Sequence, residues 1–436
     1  MDRPIFSNKK KLGLAFIIVV LAIMLAPFAL QSFGIRSLAI NLDAKVYRYS
    51  FAHSITDQVV LGKNGWQYYG GEMEHYLNRN PMSERSLKNI AHNVKLVQDY
   101  YEAQGAKFVA TIAPNKSSLY DENMPYYYKS GSSQNASRIE AAFKEAGVNY
   151  VNLFSLFEKT SEVLYFDKDS HWNDKGAALV ADALAKALGN ETQGFATSEM
   201  IERKDFAGDI EKMINTIDPE LSTNYYVAGI NDGEKRSGSF WSYTYGSDVE
   251  DGEVDTVSNF ENKTSKTLLM YRDSFANNLL PFMATKYANA TFTKMIPYAS
   301  YSGADSVILE RSERQIHYLC EEAPLFESSQ VDPPLKKGQA SFESALPNIW
   351  TDDDFVSISN FEVAEISDEF YVQVSYMDET FTYSTFWLSN DDSDFGWQVN
   401  LNKQNWQGKD VVIEVLAKNV SGVETIHKYE IKNLGN

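Results

Sequence analysis

The sequence predicts an α/β domain: a parallel sheet with helices on both faces, a small β-sandwich after it and a membrane helix before it. Three observations carry this prediction. Short apolar runs alternate with helix-like stretches through the middle of the chain, period-two patterning replaces that rhythm after residue 341, and a 19-residue run without a charge stands near the start.

That run, Leu12 to Leu30, is long enough to cross about 30 Å of hydrocarbon as a helix. Lys9, Lys10 and Lys11 precede it, which places the N-terminus in the cytoplasm and the rest outside. A cleaved signal peptide is the competing reading. The run is long for such a segment, and Ala26-Pro27-Phe28-Ala29 is a poor cleavage site. The expectation is a cytoplasmic tail and single-pass anchor over residues 1–34, at the cell membrane, with the bulk of the chain extracytoplasmic.

The α/β domain is expected over residues 46–322. Between Ser83 and Gly105 the residues Leu87, Ile90, Val94, Val97 and Tyr101 recur at helical spacing, with Ser83 as start and Gly105 as stop. Phe108–Ile112 follows as a buried strand ending at Pro114. A helix from Ala136 to Ala146 stops at Gly147 and leads into a strand, Tyr150–Leu153. Asn173 or Asp174 caps a further helix that ends near Gly189. Residues 190–265, rich in Asp, Gly, Ser and Tyr, read as an irregular insertion or lid. Thr267–Tyr271 and Ser306–Leu309 are two more apolar strands, each followed by helix-like sequence. Pro324, Pro333 and Pro334 mark a linker over 323–341.

Residues 342–436 predict a β-sandwich, immunoglobulin-like or carbohydrate-binding-like. Tyr371–Tyr376 and Val411–Leu416 alternate at period two, with turns at Asp391–Gly396 and Gln407–Gly408. A fragment Leu335–Asn436 is expected to fold alone and to lack hydrolytic activity. Trp350, Trp387, Trp397 and Trp406 read as sandwich core, with sugar stacking as the alternative.

Composition narrows the function. The formal charge is −19, and from Val331 onward seven basic residues face eighteen acidic ones. Nucleic acid is excluded as a partner, because its binding is driven by basic side chains. Cys320 is the single cysteine, so no intrachain disulfide forms, and an apolar setting makes it a small core residue.

Two segments carry chemistry. In Asp167-Lys168-Asp169-Ser170-His171 a carboxylate stands two residues before an imidazole, at a junction leading into a helix. In an extended segment that spacing puts Asp169 and His171 on one side, where Asp169 fixes the ring tautomer and leaves the other nitrogen as a base. In Met270-Tyr271-Arg272-Asp273-Ser274-Phe275 the serine follows an apolar run and precedes a helical stretch. A hydroxyl there lies beside backbone N–H groups suited to an oxyanion, and it needs a base to become a nucleophile. The bland alternatives are a helix cap for Ser274, a turn residue for Asp169 and a surface side chain for His171. Metal binding by Asp167, Asp169 and His171 is a further alternative, but no second His/Asp cluster in the sequence completes a site. No metal and no cofactor are expected.

Asp169-Ser170-His171-Trp172, followed much later by Arg272-Asp273-Ser274-Phe275, resembles the DHHW family and the alginate O-acetylase (AlgX/AlgJ-like) proteins, relatives of the SGNH hydrolases. Gly62-Lys63-Asn64-Gly65-Trp66, Ala113-Pro114-Asn115-Lys116, Leu119-Tyr120, Met124-Pro125, Gly208-Asp209 and Asp305 to Arg314 fit the same pattern. The similarity covers about Val59 to Tyr318. It departs at Ser170, where the family has a second histidine, and at Arg272, which replaces a usual glycine. The resemblance implies a flavodoxin-like three-layer SGNH domain and a serine ester mechanism with Ser274, His171 and Asp169 as triad. It also points to Asn115, Lys116, Arg272 and Asp273 as oxyanion or substrate contacts. The activity implied is O-acyl transfer or ester hydrolysis on a cell-surface polysaccharide, with a multipass membrane protein as acyl donor. The alternative is an inactive, anchored glycan-binding or scaffold protein of the cell envelope.

Overall fold

In the computed structural model, the described residues are 16–26, 29, 58–79, 81–125, 135–190, 194–215, 217–232, 241–243, 254–258, 265–332, 336–339, 346–361, 369–419 and 422–435. Ser83 opens the first long helix, α1 (Glu84–Ala103), by accepting the Ser86 N–H through its hydroxyl. The five apolar residues at helical spacing are all buried. Gly105, at φ +88°, turns the chain into β1 (Lys107–Ala113). Then come α2 (Asn135–Ala146) and β2 (Tyr150–Val151). β2 is shorter than the sequence suggested, because Asn152 caps a helical turn by accepting the Ser155 N–H. Asn173 starts α3 (Asp174–Ala187) by accepting from Gly176.

β3 (Trp241–Tyr243), β4 (Val254–Ser258), β5 (Thr267–Tyr271), β6 (Asn289–Thr293) and β7 (Ser306–Ser312) complete a seven-stranded sheet of order β2-β1-β7-β5-β6-β4-β3. The first five strands are parallel, β4 pairs antiparallel with β6, and β3 pairs antiparallel with β4. Alternation sorts the side chains. Leu268 and Met270 of β5 pack with α3, and Leu269 and Tyr271 pack with α1 and α2 on the opposite face.

The described part of residues 190–265 holds regular elements rather than the irregular insertion expected. Ile201–Ala207 pairs with Leu221–Tyr226, α4 (Asp209–Ile214) lies between them, and β3 and β4 extend the main sheet. The hairpin escaped notice because Ile201–Asp205 is solvent-exposed, so its strand carries no apolar alternation.

The sandwich pairs a five-stranded with a four-stranded sheet. Val356, Ile358, Val372, Val374, Ile413 and Val415 point inward at period two. Trp387, Trp397 and Trp406 are core residues, and Trp350 is 39% exposed. The linker reading over 323–341 is corrected for its described part. Ala323 and Phe326 are buried, the Asn400 amide donates to the Pro324 and Phe326 carbonyls, and the Val331 N–H donates to Thr382. Residues 336–339 form a strand beside Gly422–Ile431. Pro324 accepts within this packing through its carbonyl, and Pro333 and Pro334 lie outside the described residues.

The sandwich is also not independent of the α/β domain. Phe386 and Leu388, on the edge strand Phe386–Leu388, sit in the α1 core. Asn93 of α1 donates to the Trp387 carbonyl at 2.7 Å and accepts the Trp387 N–H at 2.9 Å, as a neighbouring strand would. His92 stacks on Trp387 with centroids 3.6 Å apart. The isolated fragment Leu335–Asn436 would lose these partners and expose Phe386 and Leu388, so its expected autonomy is withdrawn. Asn93→Ala orphans a buried N–H and C=O and is expected to cost about 2 kcal/mol or more of stability, read as a lower denaturation midpoint of the full chain.

Residues 16–26 are helical with Phe16, Ile17, Ile18, Leu21, Ile23 and Leu25 exposed. Among the described residues no helix is long and apolar enough to cross a membrane. Residues 12–15, 27, 28 and 30 of the charge-free run lie outside the described residues.

Candidate active site

β1, β5 and β7 are parallel neighbours, so the loops leaving their C-terminal ends meet at one edge of the sheet, where open α/β folds place ligands. β5 ends at Tyr271, and a short 3-10 helix, Ser274–Asn278, starts after Asp273. The capping role considered for Ser274 belongs to Asp273, whose carboxylate accepts the Phe275 N–H at 2.9 Å. The Ser274 hydroxyl therefore lies outside the cap and faces the His171 ring, with Oγ 2.9 Å from Nε2. On the far side of the ring, Nδ1 is 2.7 Å from Asp169 Oδ1. An ionised carboxylate only accepts, so the ring proton sits on Nδ1 and the Nε2 lone pair faces the serine hydroxyl.

Residues 167–171 form a bend rather than the extended segment expected. The two-residue spacing still brings the groups together, because Asp169 Oδ1 also accepts the His171 backbone N–H at 2.9 Å in an Asx turn. Buried Lys116 holds this bend: its ammonium donates to the carbonyls of Phe166, Asp167 and Asp169 at 3.1, 3.3 and 2.6 Å. All three donors are thereby spent on the loop, which places Lys116 behind the site and not on a substrate. Phe275 packs edge-on against His171 and Trp172, at 4.8 and 5.0 Å between centroids. Asn278 donates to the Trp172 carbonyl at 3.0 Å, tying the serine helix to the histidine loop.

Burial alone would raise the Asp169 carboxyl; the hydrogen bond and charge of His171, with the Asp209 N–H, outweigh it and hold the group well below the usual carboxylate range. Burial pushes His171 down, and the bond and charge of Asp169, helped by Asp209, outweigh burial and raise it, with Arg314 opposing. A base must be neutral to take a proton. Ester turnover is therefore expected to rise with pH through a midpoint above the ordinary histidine value of about 6.5, and Asp169→Asn to move that midpoint down. A pH–rate profile of the two proteins checks both signs.

The Ser274 N–H is the first of its helix and has no intrahelical acceptor. Asn115 follows β1 on the same edge of the sheet. Its side chain is fully buried, and neither Nδ2 nor Oδ1 has a hydrogen-bond partner. Its backbone N–H donates to Glu313 Oε2 at 3.0 Å, the oxygen that also receives the Ser118 hydroxyl at 2.6 Å. Burial pushes Glu313 up to about 7 against those two bonds. Arg272 and Asp273 brace the turn. Arg272 donates to Asn277 Oδ1 at 2.7 Å, while Asp273 Oδ2 accepts the Ser312 N–H at 2.6 Å and its own N–H donates to Glu310. Arg272 and Ser274 also line a cavity of about 710 Å³ together with Lys294 and Arg311.

Asp209, Arg314 and Glu72 complete the neighbourhood. The Arg314 guanidinium lies 5.1 Å over the Phe275 ring and 3.4 Å from buried Glu72. Nothing in the sequence pointed to Glu72; Gly208-Asp209 and Arg314 stood out only through the family resemblance. For a metal, Asp169, His171 and Asp209 offer atoms within 4.8 Å of one another, but Asp169 Oδ1 already bonds His171 Nδ1, Asp169 Oδ2 accepts the Asp209 backbone N–H, and Asp209 Oδ2 accepts the Ser170 hydroxyl. Asp167 is turned to Ser222 and Lys168.

Residues 59–237 match the family model described as "SGNH hydrolase-like domain, acetyltransferase AlgX", a span that includes Asp169 and His171 and ends before Ser274. Over 210 residues the chain is 28% identical to the "Probable alginate O-acetylase AlgJ" of Pseudomonas syringae pv. tomato, covering 44% of this chain and 50% of that protein. The protein of the same description from Pseudomonas fluorescens is 26% identical over 166 residues, covering 37% and 41%. The chain thus matches about half the length of these curated relatives and is homologous to them. Among solved structures, the O-acetyltransferase domain of Pseudomonas putida AlgJ aligns with a TM-score of 0.39 at 17% identity, over 59% of this chain and 91% of that one. A DHHW family protein from Eubacterium siraeum aligns with a TM-score of 0.42 at 17% identity, over 60% and 92%.

Proposed function

We propose that this chain is an extracytoplasmic serine O-acyltransferase or esterase acting on a cell-surface polysaccharide, with Ser274 as nucleophile, His171 as general base and Asp169 as its orienting carboxylate. The observation that carries the reading is the single hydrogen-bonded line from Ser274 Oγ through both nitrogens of His171 to Asp169. Acyl chemistry and a glycan acceptor are supported by the matched acetyltransferase family and by relatives named alginate O-acetylases.

In the first half-reaction His171 Nε2 takes the Ser274 proton as Oγ bonds to the acyl carbon of an ester donor. The oxyanion accepts from the Ser274 N–H and from Asn115 Nδ2. Collapse breaks the bond to the leaving oxygen, and the imidazolium returns its proton there. In the second half-reaction a sugar hydroxyl, or water, attacks the acyl-serine by the same steps in reverse. Anchoring by the charge-free run from Leu12 to Leu30 would hold the site beside the membrane, within reach of a multipass acyl donor.

Covalent labelling tests the reading. A fluorophosphonate probe should modify the full-length chain at Ser274, and His171→Ala should abolish the modification. A folded chain that the probe leaves unmodified at Ser274 would overturn the serine mechanism and leave the anchored glycan-binding reading.

A further inference from the structure

We propose that Asp209, supplied by the insertion between α3 and β5, is a positioning residue of this site: a second carboxylate that fixes the Asp169 loop and sets the charge His171 feels. The inference deepens the serine reading and rests on it.

The helix α4 begins at Asp209 against the 167–171 bend. The approach is a backbone contact, since a Cβ on Gly208 would stand 2.1 Å from the Lys168 carbonyl oxygen and 3.0 Å from the Asp169 nitrogen. Through that gap the Asp209 N–H donates to Asp169 Oδ2 at 2.7 Å. Asp169 Oδ1 is committed to His171, so each carboxylate oxygen of Asp169 has its own donor. The Asp209 side chain reaches back to the bend. Its Oδ1 accepts the Ser170 N–H at 2.7 Å and its Oδ2 accepts the Ser170 hydroxyl at 2.6 Å. The Ile210 N–H adds a third donor at 2.7 Å. Three donors suit an ionised carboxylate, which only accepts.

Asp209 Oδ2 then lies 3.6 Å from His171 Nδ1. The charged groups facing the imidazole are Asp169 from its own loop, Asp209 from α4 and Arg314 from the turn after β7. Those acting on Asp209 are Asp169 and His171, and Lys116 feels its charge in turn. Two carboxylates this close repel each other, and burial with Asp169 raises Asp209 above its ordinary range. A proton arriving on His171 relieves that repulsion, so the pair favours the imidazolium that forms as Ser274 gives up its proton. Ser170 stands where the resembling family has a second histidine, and its N–H and hydroxyl are the donors that aim Asp209 at the bend.

The test is a titration of His171 in the full-length chain by NMR of ¹³C-labelled histidine. Six histidines give six signals, and His171→Gln identifies the one of interest. Asp209→Asn keeps the backbone donor and an oxygen for Ser170 but removes the charge. It should lower the proton affinity of His171 by about tenfold or more and carry the pH–rate midpoint down with it. Ser170→Ala should give a smaller shift of the same sign. Gly208→Ala should break the Asp209 N–H contact and reduce turnover at unchanged KM. Asp209→Asn with an unchanged melting temperature and an unchanged His171 titration would overturn the proposal. Because this readout needs no turnover, it separates from the serine reading. A fully active Ser274→Ala chain sinks that reading, whereas an inactive Ser274→Ala with an unmoved His171 in Asp209→Asn sinks only the second carboxylate.

Discussion

Ser274→Ala is expected to lower turnover of an acetyl ester by about 10⁴–10⁶-fold in a chain that remains folded. The hydroxyl is half-buried and bonds His171 Nε2 on a ring that keeps its Asp169 bond and is itself part-exposed, so little stability is lost. His171→Ala should cost a similar factor, and the double variant scarcely more, because base and nucleophile perform one proton transfer and their losses do not add. Asp169→Asn should be damaging but milder in catalysis, yet it is the variant with a structural cost. Asp169 is buried and accepts from His171 twice and from Asp209. A matched melting temperature is therefore the control for Ser274→Ala, and a lowered one is expected for Asp169→Asn. The carboxyl is held far below its ordinary range, so its contribution to stability is present at neutral pH and lost as pH falls through the acid range. Wild-type turnover by folded Ser274→Ala would end the mechanism.

The parts of this site that were legible in the sequence are those set by local spacing. Asp169 and His171 are two residues apart and meet through a turn, although the extended geometry first assigned to them was wrong. Ser274 follows a strand that an apolar run announces. Asp209 was not legible from physics alone, because it joins the site through a backbone contact at Gly208 across forty residues of chain. Its host segment carries an exposed strand, Ile201–Ala207, and a second whose buried positions are the polar Ser222 and Asn224, so neither gives an apolar period-two signal. Lys116 was misplaced for a related reason. A lysine near a site reads as a ligand contact, and only the fold shows three carbonyls consuming its donors. The same logic applies at the domain boundary. Asn89 and Asn93 look like the polar face of an amphipathic helix, but they are buried donors and acceptors for Leu388 and Trp387.

Asn115→Ala is the variant in which function and stability should move apart. A buried amide with neither Nδ2 nor Oδ1 hydrogen-bonded carries an unreturned desolvation cost, on the order of 1–3 kcal/mol. Truncation to Ala removes that cost at the expense of a small cavity, and it keeps the backbone N–H that Glu313 holds. The melting temperature should therefore stay level or rise. If Nδ2 is the second oxyanion donor, kcat should nonetheless fall by about 10²–10³-fold with KM little changed, because the donor acts on charge that develops only in the transition state. Asn115→Asp should be worse on both counts. It would set a carboxylate near Glu313, which burial already pushes up to about 7, and oppose the oxyanion instead of accommodating it. Reactivity of Ser274 towards a fluorophosphonate should follow kcat, since its phosphoryl oxygen occupies the position of the oxyanion. Asn115→Ala with unaltered kcat and a higher melting temperature would show a buried amide that serves no reaction, and the oxyanion would then rest on the Ser274 N–H alone.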